Sequence, residues 1–307
     1  VGDRVAQEVV RRFLEPILEP VFHVDSYGYR PGKSAIDAVA KARERCFRSD
    51  WVLDLDIKGF FDSIDWELML EAVRHHTDCP WVLLYVERWL RASVQMEDGR
   101  IVDRTAGTPQ GGVISPLLAN IYLHHVLDLW FEEEVRPRLR GRAILVRYCD
   151  DFVFGLERED DARRLWEVLV KRLARYELEL HPEKTRLLDF RRPPLDRQGK
   201  GPGTFDFLGF THLWKKSRRG RWRVVTQTCV SRLRRAKRSV DDWCRRHRHW
   251  PVAEQHTALV RRIRGHFAYF GVRGNYRRVN LLVEAAKRSW HKWLNRRSQR
   301  STINWSR

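Results

Sequence analysis

Apolar residues recur along this chain with two different periods. Val5, Val9, Phe13, Leu14, Ile17 and Leu18 fall three or four apart, which predicts a helix over residues 4–19 that Pro16 and Pro20 bring to an end. Tyr27-Gly28-Tyr29-Arg30-Pro31-Gly32 reads as a turn-rich loop, and Ser34 as the cap of a helix reaching Phe47. The period then switches to two: Trp51 to Ile57 reads as a strand. Helices follow at about 66–74 and 81–92, and Asp98-Gly99 marks a hairpin turn between Val94, Met96 and Ile101, Val102.

A long apolar helix is predicted over 116–135. Residues 144–148 and 152–154 read as a hairpin around Asp150-Asp151, and 160–175 as a helix. Phe205 to Leu213 reads as a short strand. Beyond Val230 the pattern is helical, with Val230, Leu233, Val240 and Trp243 on one stripe. Gly, Pro and Arg cluster at 191–203 as a surface loop, and no internal repeat is present. Helices, then strands interleaved with helices, then a helical tail describe an α+β body with an α-helical appendix.

Charge divides the chain. The net charge is +19, yet residues 1–210 hold 32 Lys+Arg against 36 Asp+Glu, and residues 211–307 hold 27 against 4. The whole positive excess lies in the last third, the pattern of a near-neutral body with a cationic clamp for a polyanion. Arg232, Arg234, Arg235, Lys237 and Arg238 crowd one helix there. Tryptophans including Trp214, Trp222, Trp243, Trp250, Trp290, Trp293 and Trp305 interleave with the basic runs, either as core residues or as platforms for bases.

The cysteines, Cys46, Cys79, Cys149, Cys229 and Cys244, are odd in number and form no CxxC pair. Neither a disulfide framework nor a zinc site is expected, and free thiols fit a cytoplasmic setting. No apolar run reaches membrane-spanning length, and no signal peptide is read at the N-terminus.

The candidate chemistry is carboxylate chemistry. Asp56 ends an apolar strand, and Asp150-Asp151 sits at a hairpin tip between two more. An Asp-Asp pair in a turn is, alone, ordinary turn chemistry. Carboxylates at several strand ends are costly without a cation, and Mg2+ is a hard cation bound by oxygen ligands.

The surrounding blocks decide between these readings. Ser26 to Ser34, Asp54-Leu55-Asp56-Ile57-Lys58-Gly59-Phe60-Phe61-Asp62, Thr108 to Leu123, Tyr148-Cys149-Asp150-Asp151, Leu180 to Thr185 and Phe207-Leu208-Gly209-Phe210 occur in that order. Together they resemble the successive blocks of reverse transcriptases, most closely those encoded by bacterial group II introns, over residues 3–306.

The resemblance implies a right-hand polymerase. Fingers and palm, with an antiparallel palm sheet packed on helices, span 1–213, and a basic helical thumb or maturase region spans 214–307. It implies RNA-directed DNA synthesis with two Mg2+ ions, or Mn2+ in their place, held by Asp56, Asp150, Asp151 and the carbonyl of Ile57. Phe60, Phe61, Gln110 and Gly111 would meet the incoming dNTP, with Phe61 excluding a 2′-hydroxyl; core packing is the other reading of Phe61. Arg4 would grip the triphosphate. Lys184 would neutralise or protonate pyrophosphate, or else be a solvated lysine. Phe207, Leu208 and Gly209 would position the primer end. Arg30, Lys33 and the five cations of 232–238 would contact nucleic acid.

The implied partners are an RNA template, a DNA primer, dNTPs and group II intron RNA, with no membrane. Gly271, Gly274-Asn275-Tyr276 and Trp293 to Arg297 extend the likeness into the tail. Cys149 departs from the small or apolar residue usual there; a small thiol preserves the site, and no basic neighbour makes it a nucleophile. The sequence begins inside the first block and stops before a DNA-binding region, so a chain truncated at both ends is expected. No HNH cluster is present, and DNA cleavage is not expected. Two rivals stand beside this reading: an RNA-binding splicing maturase, and a relative adapted to defence or CRISPR spacer capture. Ser115-Pro116 is unlike the Ser-Gln of mutagenic relatives.

Overall fold

The structure, a computed structural model, describes residues 2–95, 98–108, 111–194 and 202–298. The chain forms two compact units, Val1–Arg192 and Pro193–Arg307. The division falls ahead of the charge boundary, because strands on both sides of that boundary share a sheet and so belong to one unit.

In the first unit, α1 (Gly2–Leu18) buries Val10, Leu14 and Leu18. α2 (Ala35–Cys46) begins at Ser34, whose Oγ accepts from Asp37 N while Asp37 accepts from Ser34 N. This capping box contributes about 1 kcal/mol to the helix. β1 (Trp51–Asp56) leads through a single turn, α3 (Phe60–Ser63), to α4 (Trp66–Arg74) and α5 (Pro80–Arg91). β2 (Val94–Gln95) and β3 (Ile101–Val102) form the expected small hairpin. α6 (Ser115–Leu123) continues as a π-helix, His124–Val135. The long apolar helix is thus present, but its second half is wound more widely.

β4 (Ala143–Tyr148) and β5 (Asp151–Leu156) form the second hairpin. α7 (Glu159–Ala174) follows, then β6 (Arg186–Asp189), which the apolar pattern does not predict. These strands build one antiparallel sheet in the order β4-β5-β1-β6. Leu53, Leu55, Phe152, Phe154, Leu165, Leu169 and Phe131 share a continuous core, with the Phe131 and Phe154 rings 4.9 Å apart. A buried Leu or Phe side chain contributes about 1.5–3 kcal/mol, so this core holds the strand ends in fixed register.

In the second unit, the strand expected over 205–213 is a hairpin. β7 (Phe205–Phe207) turns at Leu208-Gly209, φ +51° and +79°, into β8 (Phe210–Lys216). β9 (Trp222–Thr228), unpredicted, completes a three-stranded sheet. α8 (Val230–Arg246), α9 (Val252–Phe270) and α10 (Tyr276–Leu294) follow. Leu233, Val240, Trp243, Leu259, Leu282 and Ala286 form their core, with Trp290 and Trp293 packed against it. Trp214, Trp222 and Trp243 are buried and Trp250 is exposed, so most of these indoles are core residues; Trp305 lies outside the described residues.

Candidate functional site

The pairing register of the first sheet sets the site. Asp56, the last residue of β1, lies directly opposite Asp151, the first of β5. Directly opposed residues of an antiparallel pair point to the same face, about 5 Å apart at Cβ. Asp150 stands on the two-residue turn between β4 and β5, where Cys149 takes φ +56°. Positive φ is uncommon outside glycine but is what a tight hairpin turn demands.

A cavity of about 280 Å³ opens beside this turn, lined among others by Asp56, Ile57, Phe60, Phe61, Asp150 and Lys184. Burial raises the Asp150 carboxyl above its usual range, and the neighbouring Asp56 carboxylate adds to the rise. Burial, with Asp150 beside it, pushes the Cys149 thiol up to about 12, which removes it as a nucleophile.

The segment after β1 is pinned by its neighbours. His181 N donates to Asp56 O at 2.8 Å, and Lys58 N to Glu179 O at 2.8 Å, so residues 179–181 run beside 56–58. Their turn delivers Lys184, whose Nζ donates to Asp56 Oδ2 at 2.5 Å. A cation thus already sits against the first carboxylate.

Phe60 is buried and Phe61 half-buried, with ring centroids 5.4 Å apart. Phe61 O accepts from Thr108 N at 2.7 Å, and a Cβ on Gly107 would lie 2.5 Å from that same oxygen. Gly107 and Thr108 are therefore fastened to Phe61, a residue that lines the cavity.

Among the described residues, no group of three or more His, Cys, Asp or Glu closes around one point to hold a metal ion. Mg2+ sites for nucleotide chemistry take only one or two carboxylates and complete the shell with water and substrate phosphates. Asp56 and Asp150 on one cavity, with Asp151 across from Asp56 and a lysine ammonium already bound, fit such an ion.

The other sequence-derived candidates divide. Arg4 is exposed on α1 and Gly111 lies in an exposed turn; neither lines this cavity. Gln110 lies outside the described residues. Arg30 and Lys33 have partners within the first unit. Arg30 is buried, and its guanidinium donates to the Glu19 carboxylate and to the carbonyls of His23, Ser26 and Glu19. Lys33 donates to the carbonyls of Val24 and Ser26. Both cations brace the loop that carries them.

In the second unit Phe207 is buried, Leu208 O accepts from Tyr269 Oη at 3.0 Å, and Gly209 O from Cys229 N at 3.0 Å. On α8, Arg232, Arg234, Arg235 and Arg238 are exposed and Lys237 is half-buried. None of the five pairs with a carboxylate among the described residues, which leaves a cationic helix face.

Asn120, Asp128 and Arg147, which the sequence pattern does not mark as site residues, meet behind the Cys149–Asp150 turn. Asn120 stands inside a block that the sequence singles out, but its role depends on partners distant in the chain.

Comparison with known proteins agrees with this geometry. The family described as reverse transcriptase (RNA-dependent DNA polymerase) matches residues 1–212. The chain is 33% identical over 180 residues to the group II intron-encoded protein LtrA of Lactococcus lactis subsp. cremoris, covering 55% of this chain and 30% of that one. It is 30% identical over 262 residues to protein YkfC of Escherichia coli K12, covering 73% and 64%. The chain thus spans less than two thirds of either relative. A solved telomerase of Candida albicans, in complex with a fragment of telomeric RNA, superposes with a TM-score of 0.51 at 14% identity, over 90% of this chain and 48% of that one. That likeness establishes the fold, that of a right-hand polymerase.

Proposed function

The chain belongs to the reverse transcriptase family, and from that premise we propose that it copies an RNA template into DNA by nucleotidyl transfer at the cavity lined by Asp56 and Asp150, with Asp151 paired to Asp56 beside it. The single observation that carries this reading is the register that sets Asp56 opposite Asp151 with Asp150 on the adjoining turn. Reverse transcriptases use divalent ions; here Asp56, Asp150, Asp151 and the carbonyl of Ile57 would hold two Mg2+. When bound, the pair neutralises charge on the attacking and leaving oxygens.

The chain's own residues do the rest. The primer 3′-hydroxyl attacks the α-phosphorus of a dNTP, a phosphodiester bond forms, and pyrophosphate leaves. Phe61, on the cavity floor, leaves no room for a 2′-hydroxyl and so selects dNTPs. Phe60 supports it, and Gln110 and Gly111 approach the nucleotide. Lys184 has the reach and charge to stabilise pyrophosphate as it departs. Arg4 grips the triphosphate when substrate orders the site. Fingers and palm occupy the chain to about residue 213, and the thumb the rest. In the second unit the turn Phe207-Leu208-Gly209 guides the primer end, and the basic face of α8 follows the backbone of template and primer. That same face supports a second role, binding group II intron RNA to assist splicing.

The test is primer extension on poly(rA)/oligo(dT) with Mg2+, comparing the parent with an Asp150→Ala/Asp151→Ala variant. Extension by the parent and none by the variant is the expected result. Equal extension by both removes the site. If the variant splices intron RNA as the parent does while extending nothing, both roles stand.

A further inference from the structure

Behind the catalytic turn lies a polar cluster that the proposed chemistry does not use. Arg147, on β4, has no solvent exposure. Its Nε and Nη2 donate to the two oxygens of Asp128 at 2.9 and 2.5 Å, and its Nη1 donates to Asn120 Oδ1 at 3.0 Å. The same Nη1 donates to the carbonyl of Cys149 at 3.1 Å. Asn120 Nδ2 in turn donates to Gly28 O at 2.6 Å. Burial disfavours the charged form of Asp128, but the adjoining Arg147 guanidinium, together with His124 and His23, more than offsets this and holds the carboxyl below its ordinary value.

Three connections converge on the turn. The Cys149 carbonyl and the Asp150 amide belong to one planar peptide, so fixing that oxygen fixes how Asp150 leaves the turn. The backbone of loop 25–30 is laced to the same residue: Tyr27 N donates to Arg147 O at 2.8 Å, and Arg147 N to Asp25 O at 3.0 Å. Gly28 then lies so close that a Cβ on it would sit 2.4 Å from Cys149 N. Asp128 comes from the π-helical segment, a winding that is rare and is found disproportionately at functional sites.

We propose that Arg147 is a positioning residue: clamped by Asp128 and Asn120, it sets the peptide plane of the catalytic turn and ties that plane to loop 25–30. A buried ion pair is a weak stabiliser, because desolvation cancels most of the Coulomb attraction. Its use here is geometric. A planar guanidinium with five fixed donors makes all four of these bonds at once, to Asp128, Asn120 and Cys149, and a lysine with three donors cannot. The cluster stands to the carboxylates as hydrogen-bond partners stand to the ligands of any metal site, holding them at the angle the ion needs.

The inference rests on the reading of Asp56 and Asp150 as metal carboxylates, and its test separates the two. Mn2+ affinity of the full chain is measured by electron paramagnetic resonance for the parent, Asp56→Asn, Arg147→Lys and Asn120→Ser. Folding is checked by circular dichroism, and dTMP incorporation is measured alongside. Arg147→Lys keeps a cation for Asp128; Asn120→Ser keeps the ion pair whole and carries the comparison if the lysine variant does not fold. We expect both folded variants to bind Mn2+ about tenfold more weakly, and to lower kcat by a similar factor with KM for dTTP nearly unchanged. Folded variants with parental Mn2+ affinity and kcat overturn the inference. A parent that binds Mn2+ through Asp56, with weakened binding in both variants, yet extends no primer overturns the polymerase reading and supports the role of Arg147.

Discussion

Asp56 and Asp151 are cross-strand partners, although some ninety residues separate them in the chain. Nothing local brings them together. The apolar faces of β1 and β5 choose the register, and slipping it by one residue would turn every side chain to the opposite face of the sheet. The position of the carboxylates is thus a consequence of core packing around Leu53, Leu55, Phe152 and Phe154.

Phe61 lines the cavity, and its backbone is held by Thr108. Shortening its side chain should open space for a ribose hydroxyl without moving the main chain. Phe61→Val is expected to lower discrimination for dTTP over UTP by about tenfold or more, measured as the ratio of kcat/KM values. An unchanged ratio assigns Phe61 to core packing.

Lys184 binds Asp56 Oδ2 at 2.5 Å. An ammonium on that oxygen competes with a divalent ion, so Lys184→Met should tighten Mn2+ binding in the absence of nucleotide. The same change should slow incorporation by about tenfold or more if the ammonium assists pyrophosphate departure. Titration calorimetry and single-turnover incorporation read the two effects separately. Weaker Mn2+ binding by the variant would contradict the competition.

Gly28 and Gly32 separate steric contact from backbone preference. A methyl group on Gly28 meets Cys149 N at 2.4 Å, whereas Gly32, with φ +67°, has open space around its Cβ position. Gly32→Ala should cost about 1 kcal/mol of conformational preference and leave extension near parental. Gly28→Ala must displace the Cys149–Asp150 turn, so extension should fall by a far larger factor. Comparable losses in the two variants would mean that the contact is not decisive.

Acid should weaken the first unit through its histidines. His76 Nε2 and His125 Nε2 share a hydrogen bond at 2.8 Å. Burial, reinforced by His124, His76 and His75, brings His125 from 6.5 down to about 4. Burial also lowers His76. The fold therefore favours neutral imidazoles. The unfolded chain takes up protons from about pH 6.5 downward, so this stabilisation is complete above that value and is lost as pH falls toward 4. The urea midpoint should drop between pH 7 and pH 5, and His125→Asn should flatten the drop. An equal drop in both proteins would locate the acid sensitivity elsewhere.

The sheet that carries the site was legible because its strands are apolar enough to show their period, and Asp56 and Asp150-Asp151 interrupt those runs. β6, four residues long, offers too little alternation to read, and β9 hides in a basic stretch where charge masks the pattern. The π-helical winding of His124–Val135 leaves no mark, since that segment continues the apolar run of α6. Arg30 and Arg147 show the deeper limit. Arg30 is expected to face nucleic acid and Arg147 is unremarked within an apolar strand, yet both are buried, with carboxylates and carbonyls from elsewhere in the fold taking their donors. Burial of a charge is decided by tertiary partners, which no local pattern reports.

The central claim is that the Asp56 carboxylate serves templated DNA synthesis. Single-turnover dTMP addition to a poly(rA)/oligo(dT) primer end in Mg2+ tests it most directly, with the parent and Asp56→Asn compared after both are shown to fold. Addition by the parent and a loss of about a hundredfold to a thousandfold in the variant are expected, the scale of removing a principal electrostatic group from an active site. Addition by Asp56→Asn at the parental rate would contradict the claim.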